Sequence, residues 1–352
     1  MKNAFKKILE YIIPQRIALQ VGSRNTCLMD EEGNIECLLT TVFEEGEEHS
    51  GKYLCAGGFW CHTEGLYRYL WPICRREVCN NLEASSFFFK YIFSRLFHFK
   101  PLRIYSSVSP GTTDMDFRGL VDAVLSSKQV KKASFVFEPI AAAIGMGIDM
   151  QKENYILDIG HTSSVFSVVS DYKVKYAHGI YSPCICDEVL FALKNVMMEN
   201  NIRVSERKLL RIMRTIKDED EYIVYGPNPY STVPIQFTIT REQIIACYSP
   251  MIMSIIDKVK SFMKEKNLSF SADSPLYLIG GGSCLAGISK IFAEQGINIV
   301  IPENSDRVIV KGLHRIAMNK CGYPIDREKV VFREVKSFKQ VRNVRRLLPL
   351  YD

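Results

Sequence analysis

No apolar run in this 352-residue sequence approaches the ~20 residues that a membrane-spanning helix requires; even the run ending at Phe89 falls far short. An integral membrane protein is therefore not expected. No secretory leader is visible either: the first residues carry lysines, but the apolar positions are spaced rather than continuous and no small-residue cleavage site follows. The chain lacks any Cys-x2-Cys pair. Its 11 cysteines are scattered and odd in number, unlike a short disulfide scaffold, so a reducing compartment is the simpler expectation. Cys55, Cys61, His62, Cys74 and Cys79 gather loosely, but their spacing fits no common zinc module, and Cys184-x-Cys186 reads as structural. The hallmarks of disorder are missing as well, with 47% hydrophobic and 24% charged residues.

What is present is enough sequence for two domains. The net charge of +6 is modest but unevenly placed: residues 327–352 hold eight Lys/Arg against three Asp/Glu, which leaves the rest of the chain near neutral. Such a basic tail suits an anionic surface or a solvated terminal helix. At the other end, Phe5, Ile8, Leu9, Ile12 and Ile13 recur at helical spacing among Lys2, Lys6 and Lys7, and Pro14 closes the segment. A helix of this kind lies in a membrane interface or packs on its own domain, and the pattern alone leaves both readings open.

Beyond Pro14 the pattern alternates between strands and helices. Strands are expected at 16–22, on either side of a Glu32-Gly33-Asn34 turn, and at 102–108 and 133–137. Residues 40–100 read as irregular up to an aromatic helix over 85–99, whose Phe87-Phe-Phe-Lys-Tyr-Ile-Phe93 run is apolar around much of its girth and reads chiefly as core. Helices follow at 117–125 and 139–146. The strand pattern then restarts at 154–160, 164–170 and 173–178. Helices are expected at 187–199, 205–216, and 240–266 with a bend at Pro250. A strand at 276–279 precedes Gly280-Gly281-Gly282, and a last helix covers 308–319.

Ala18-Leu-Gln-Val-Gly22 and Ile156-Leu-Asp-Ile-Gly160 are two copies of one pattern, 138 residues apart: a buried strand, a glycine turn, then a hairpin. Glycine after a buried strand lets main-chain N–H groups approach an anion, and Ser or Thr side chains add donors. The candidate phosphate-binding residues are therefore Gly22, Ser23, Asn25 and Thr26 in the first turn, and Gly160, His161, Thr162 and Ser163 in the second. Gly280, Gly281 and Gly282 form a third close-approach site, suited to a flat base or sugar–phosphate at a helix N-terminus. Asp158 ends its strand as a carboxylate able to hold Mg²⁺ through water, or to cap the turn. Glu138, ahead of Pro139 and an Ala-rich helix, suits the positioning of water against a γ-phosphate; the same position also favours an acid at a helix N-terminus.

Phe137-Glu-Pro-Ile-Ala-Ala-Ala-Ile-Gly145, Asp158-Ile-Gly160, Leu278-Ile-Gly-Gly-Gly282 and Ile299-Val-Ile-Pro302 together resemble the bacterial actin MreB family, and the likeness extends from the first helix to about Asn319. Tyr69-Leu-Trp-Pro-Ile73 looks like an Arg-Pro segment of the same family. The resemblance implies an α/β actin-like ATPase fold: two ribonuclease-H-like domains around a nucleotide cleft, each with a small inserted subdomain. It maps an amphipathic helix to 1–13, domain I to 15–150 with an insertion at about 36–100, and domain II to 151–312 with an insertion at about 182–240. A return helix at 313–325 and a basic tail at 326–352 complete the map. ATP and Mg²⁺ are the implied cofactors, with Glu206 beside the nucleoside. Self-assembled filaments at the inner membrane face, anchored by Phe5, Ile8, Leu9 and Ile12, are implied, together with RodZ, MreC and MreD as partners in cell-wall elongation and rod shape. No nucleic-acid partner is expected.

Several family positions are changed. Gln20 replaces the first-turn aspartate, so that site brings no charge to a metal. His161 and Thr162 replace two glycines, and a positive φ at His161 would cost roughly 1–2 kcal/mol. Ser182-Pro183-Cys184 stands where the family has Gly-Gly-Asp, and Leu209 where it has a lysine. The expectation is weakened ATP hydrolysis, or a nucleotide-independent pseudo-actin that co-assembles with a standard MreB. A sugar kinase of the same superfamily would need an acidic base in a sugar pocket. A chaperone would need a long C-terminal substrate domain.

Overall fold

The computed structural model describes residues 13–46, 50–58, 67–73, 81–98, 100–180, 185–216, 220–231, 233–271, 274–319, 327–342, 344 and 348. The contacts divide the chain into two compact units: Met1–Glu153 with Val168–Ala177 and Arg307–Asp352, and Asn154–Ser167 with His178–Asp306.

The first unit opens with Gln15–Val21 (β1), Asn25–Met29 (β2) and Ile35–Leu39 (β3), an antiparallel meander. Asp30 turns the chain between β2 and β3 by accepting from the Glu32 and Asn34 amides. The register sets Cys27 opposite Cys37, and the two form a disulfide that the scattered spacing gave no sign of. Val42–Glu45 (β4), Tyr53–Ala56 (β5) and Tyr67–Leu70 (β6) form a separate three-stranded sheet where the sequence reads as irregular. Buried Glu44 explains the misreading. Its carboxylate accepts from Arg68 Nε at 3.0 Å and from the Gly51 amide at 2.9 Å, so a charged residue occupies an inward position.

Leu82–Phe97 (α1) begins three residues earlier than its aromatic run suggests, because Asn81 caps it by accepting from the Ala84 amide. Its Phe88, Phe89, Ile92 and Phe93 are fully buried in the core, as the core reading expects. Leu102–Val108 (β7), Asp114–Leu125 (α2), Val130–Phe137 (β8) and Glu138–Met146 (α3) follow. β7 and β8 run parallel to β1, and β7 is buried on both faces, as a central parallel strand should be.

The plan repeats from Asn154 onward, although Val168–Ala177, the end of one strand and most of the next, groups with the first unit. Asn154–Ile159 (β9), Ser164–Ser170 (β10) and Lys173–Ile180 (β11) lie side by side. Ile185–Glu199 (α4), Glu206–Thr215 (α5) and the hairpin of Glu221–Pro227 (β12) and Pro234–Thr240 (β13) come next. Arg241–Glu265 (α6) starts in a full capping box between Thr240 and Gln243 and carries Pro250 within it. Leu276–Ile279 (β14), Ile288–Glu294 (α7) and Ile299–Val300 (β15) complete the unit. The five-stranded sheet has the order β11-β10-β9-β14-β15, with β9, β14 and β15 parallel. The first sheet has the matching order β3-β2-β1-β7-β8. The few residues shared by the two strand–turn patterns thus mark a duplicated topology.

Val308–Met318 (α8) belongs to the first unit and packs on α3. The described part of the basic tail is not one solvated helix. Within it, Arg333–Val335 is a strand added antiparallel to β8, and Val335 and Val341 are fully buried. The N-terminal segment with Phe5, Ile8, Leu9 and Ile12 lies outside the described residues, as do Cys61, His62, Cys74, Cys79 and 182–184. Among the described residues, no helix is long and apolar enough to cross a membrane.

Candidate functional site

In the first unit β1, β7 and β8 are parallel and in register, with Leu19 opposite Ser106 and Val108 opposite Phe137. Their carboxyl ends therefore share one edge of the sheet, the usual position for ligands in such sheets. Gln20, the Gly22–Asn25 turn and Glu138 all lie at that edge. The Gly22 amide donates to Asn25 O at 3.1 Å, and a Cβ on Gly22 would sit 2.6 Å from that oxygen. Thr40, not singled out from sequence, supports the turn. Its hydroxyl donates to Gly22 O at 2.7 Å, its amide donates to Arg24 O at 2.8 Å, and its Oγ1 lies 2.9 Å from that of buried Thr26. Ser23 is buried and Asn25 exposed. Glu138 is 7% exposed at the first position of α3, following Phe137, whose side chain makes no capping bond.

The second unit repeats this turn. The Gly160 amide donates to Ser163 O at 3.0 Å, and a Cβ on Gly160 would lie 2.9 Å from that oxygen. The two glycine turns share their hydrogen bond as well as their sequence spacing. His161 is half-buried and stays out of the left-handed region, so the strain considered for it does not arise. Thr162 and Ser163 are each 7% exposed.

The triple glycine sits beside this turn, because β14 pairs with β9 and sets Ile279 opposite Asp158. Gly280 has φ +83°, and a Cβ on it would fall 2.2 Å from Asp158 Oδ1. A Cβ on Gly282 would fall 2.2 Å from Ile159 Cγ2, whereas one on Gly281 would meet nothing within 4 Å. Gly280 and Gly282 are thus needed to seat the loop on the end of β9, while Gly281 borders open space. A serine pair locks the loop. Ser283 Oγ donates to Gly280 O at 2.6 Å and lies 2.6 Å from Ser305 Oγ, and the Gly280 amide donates to Ser305 O at 3.1 Å. Sequence reasoning missed Ser283 and Ser305; no glycine or charge marks them. The loop is not at a helix N-terminus as expected: Gly281–Cys284 is a 3₁₀ turn, and α7 starts only at Ile288.

Glu206 is exposed at the first position of α5. Leu209, at the lysine position, is a core residue at 1% exposure. The residues fit a nucleotide in part. The glycine loop provides a backbone surface that only glycine allows, and Gln20 Oε1 is a buried acceptor without a partner at a strand end. Gln20 brings no charge, however, so of these two strand-end positions only Asp158 supplies a carboxylate.

A family model described as MreB/Mbl protein matches residues 68–321. The chain belongs to the MreB/Mbl family. Among solved structures it is similar to MreB 5 of Spiroplasma citri bound to AMPPNP, with a TM-score of 0.70 and 18% identity over 85% of this chain and 94% of that one. The MamK double helical filament gives a TM-score of 0.67 at 12% identity, covering 87% of this chain and 99% of that one. At such identities the likeness establishes the fold, which is the actin-like fold of MreB. No curated protein matches the sequence.

Proposed function

We propose that this MreB-family protein binds ATP with Mg²⁺ through its strand-end turns, hydrolyses it slowly, and assembles into filaments. The observation that carries this reading is the repeated glycine turn next to a triple-glycine loop packed on Asp158. In this reading the Gly22–Thr26 and Gly160–Ser163 turns hold phosphate oxygens, and Gly281 borders the base and sugar. Asp158 orients the hydrated cation, and Glu138 holds the attacking water. Mg²⁺, when bound, neutralises phosphate charge and polarises the reacting phosphoryl group. Gln20 supports a water molecule but not the cation's charge, so turnover is slower than in a site with two carboxylates.

The likeness to the MamK double helical filament supports self-association as the mode of action, and the likeness to MreB 5 bound to AMPPNP supports nucleotide binding. The filaments would lie at the inner face of the membrane, organise cell-wall elongation and cell shape, and meet RodZ-, MreC- and MreD-type proteins or a second MreB. The helix at 1–13 is the proposed anchor. Gln20 and Leu209 favour one second reading, a scaffold that needs no nucleotide and co-assembles with a standard MreB. Phosphate release and pelleting with the full chain decide between them. ATP-dependent pelleting with slow release that falls further in Glu138→Ala supports the first reading. Pelleting that ignores nucleotide supports the second.

A further inference from the structure

The family match ends at residue 321, yet the chain beyond it is built into the first unit. Arg333–Val335 adds a sixth strand outside β8, with Arg333 opposite Phe135 and Val335 opposite Ala133; among the described residues the second sheet has no equivalent. Phe332 enters this strand by donating its amide to Phe135 O at 3.1 Å. Its ring stacks on Phe137, with centroids 4.6 Å apart and planes 23° apart, and tilts against Phe117 at 5.7 Å. Phe338, Val344 and Leu348 pack on the same core as buried Val341. The Leu348 amide donates to Asp114 Oδ1 at 3.2 Å, and Arg118 donates to Val344 O.

Phe137 is the point where this addition meets the candidate chemistry. It is both the last residue of β8 and the N-cap of α3, and it immediately precedes Glu138. No side-chain hydrogen bond caps α3 there, and the buried ring of Phe137 is stacked on Phe332. From Ala141 onward α3 is also held by backbone contact with α8. Ahead of Ala141, the junction also receives an aromatic contact from the C-terminal segment.

We infer that the C-terminal segment is a buttress in which Phe332 is a positioning residue for Glu138, acting through Phe137. Losing the ring leaves Phe137 free to change rotamer, which shifts Glu138 relative to the water it holds while leaving the glycine turns unchanged. A displacement near 1 Å is enough to cost about 100-fold in rate. The inference rests on the reading of Glu138 given above, and two measurements separate the failure of one from the failure of the other.

The test uses the full chain with Phe332→Ala, Phe332→Leu and Phe332→Tyr. Hydrogen exchange should speed up at least tenfold in peptides covering residues 136–143 of Phe332→Ala, while peptides of β1 and β2 keep their wild-type rates. Phe332→Tyr should restore protection, and Phe332→Leu serves if the alanine variant fails to fold. ATP turnover should show a kcat at least tenfold lower in the alanine variant, a KM within twofold of wild type, and recovery in Phe332→Tyr. Unchanged exchange at 136–143 overturns the buttress. Faster exchange with an unchanged kcat overturns positioning but keeps the buttress. If the wild-type chain shows no turnover, the hydrolytic reading of Glu138 falls with its positioning, and exchange alone decides the buttress.

Discussion

Gly145 on α3 and Gly312 on α8 meet backbone to backbone: a Cβ on either would fall 3.0 Å from the amide nitrogen of the other. The fit is tighter still around them. The Gly312 Cβ would lie 1.7 Å from Ala141 O, and the Gly145 Cβ 1.9 Å from Val308 O. Arg315 reinforces the pair by donating to Ile144 O at 2.7 Å. The close approach fixes how near α3 lies to α8 from Ala141 onward. Gly312→Ala must force two helices apart against main-chain atoms, which cannot rotate away. The expected cost is at least the 1–3 kcal/mol of an overpacked core, about the upper end or beyond. Chemical denaturation checks this; a midpoint equal to wild type would count against the packing described.

The three glycines at 280–282 should separate fold from binding. Gly280→Ala and Gly282→Ala collide with Asp158 and Ile159, so both lose stability and nucleotide affinity together. Gly281→Ala meets nothing within 4 Å, so its thermal midpoint should stay at the wild-type value. Its methyl group enters the space proposed for the base and sugar, and affinity should fall about tenfold or more, equal to ~1.4 kcal/mol. Thermal melts paired with nucleotide titration test the split. Equal affinity in Gly281→Ala would place the ligand elsewhere.

Glu334 ties the added strand to β8. Burial raises its carboxyl pKa, but the hydrogen bond and charge of Lys132 outweigh this, helped by Ser134 and Arg103, and the net shift is downward. A lowered carboxylate stabilises the fold above its unfolded value and loses that contribution as pH falls through the folded one. Glu334→Gln should therefore be less stable than wild type at pH 7, with the gap narrowing on acidification toward pH 3. The side chain is 41% exposed, so solvent screening holds the gap to about 1 kcal/mol or less. Denaturant midpoints at the two pH values provide the comparison. A gap that persists in acid would contradict the assignment.

Tyr248 on α6 is buried at 1% exposure and donates its hydroxyl to Ala286 O, just beyond the triple-glycine loop. Burial pushes its phenol well above the usual tyrosine range, against a smaller opposing effect of Arg241, so the hydroxyl stays a donor at any working pH. Tyr248→Phe leaves a carbonyl without its partner and should cost about 1–3 kcal/mol in urea unfolding. No change in the midpoint would show that Ala286 finds another donor.

The strand ends were legible in the sequence because Gly22, Gly160 and Gly280 each stop a short apolar run, and a glycine there has few other uses. Core helices were legible too, since Phe88, Phe89, Ile92 and Phe93 show their burial in their spacing. What escaped depends on partners far away in sequence. Glu44 disguises β4, because its charge makes sense only once Arg68 is opposite it. Phe332 sits among Lys and Arg residues and looks like part of a solvated tail. Its partner Phe137 lies nearly two hundred positions earlier, and no periodicity records that pairing. Thr40 and Ser283 act through hydroxyl bonds to backbone, and Ser305 through its carbonyl and a hydroxyl contact with Ser283, none of which leaves a pattern in the sequence.

The most direct test of the account is calorimetric titration of the folded, full-length protein with Mg-ATP, alongside Gly282→Ala. The account predicts saturable one-site binding in the wild type and its loss in the variant. Absence of heat from a folded, monodisperse wild-type sample, or equal binding by Gly282→Ala, would contradict it.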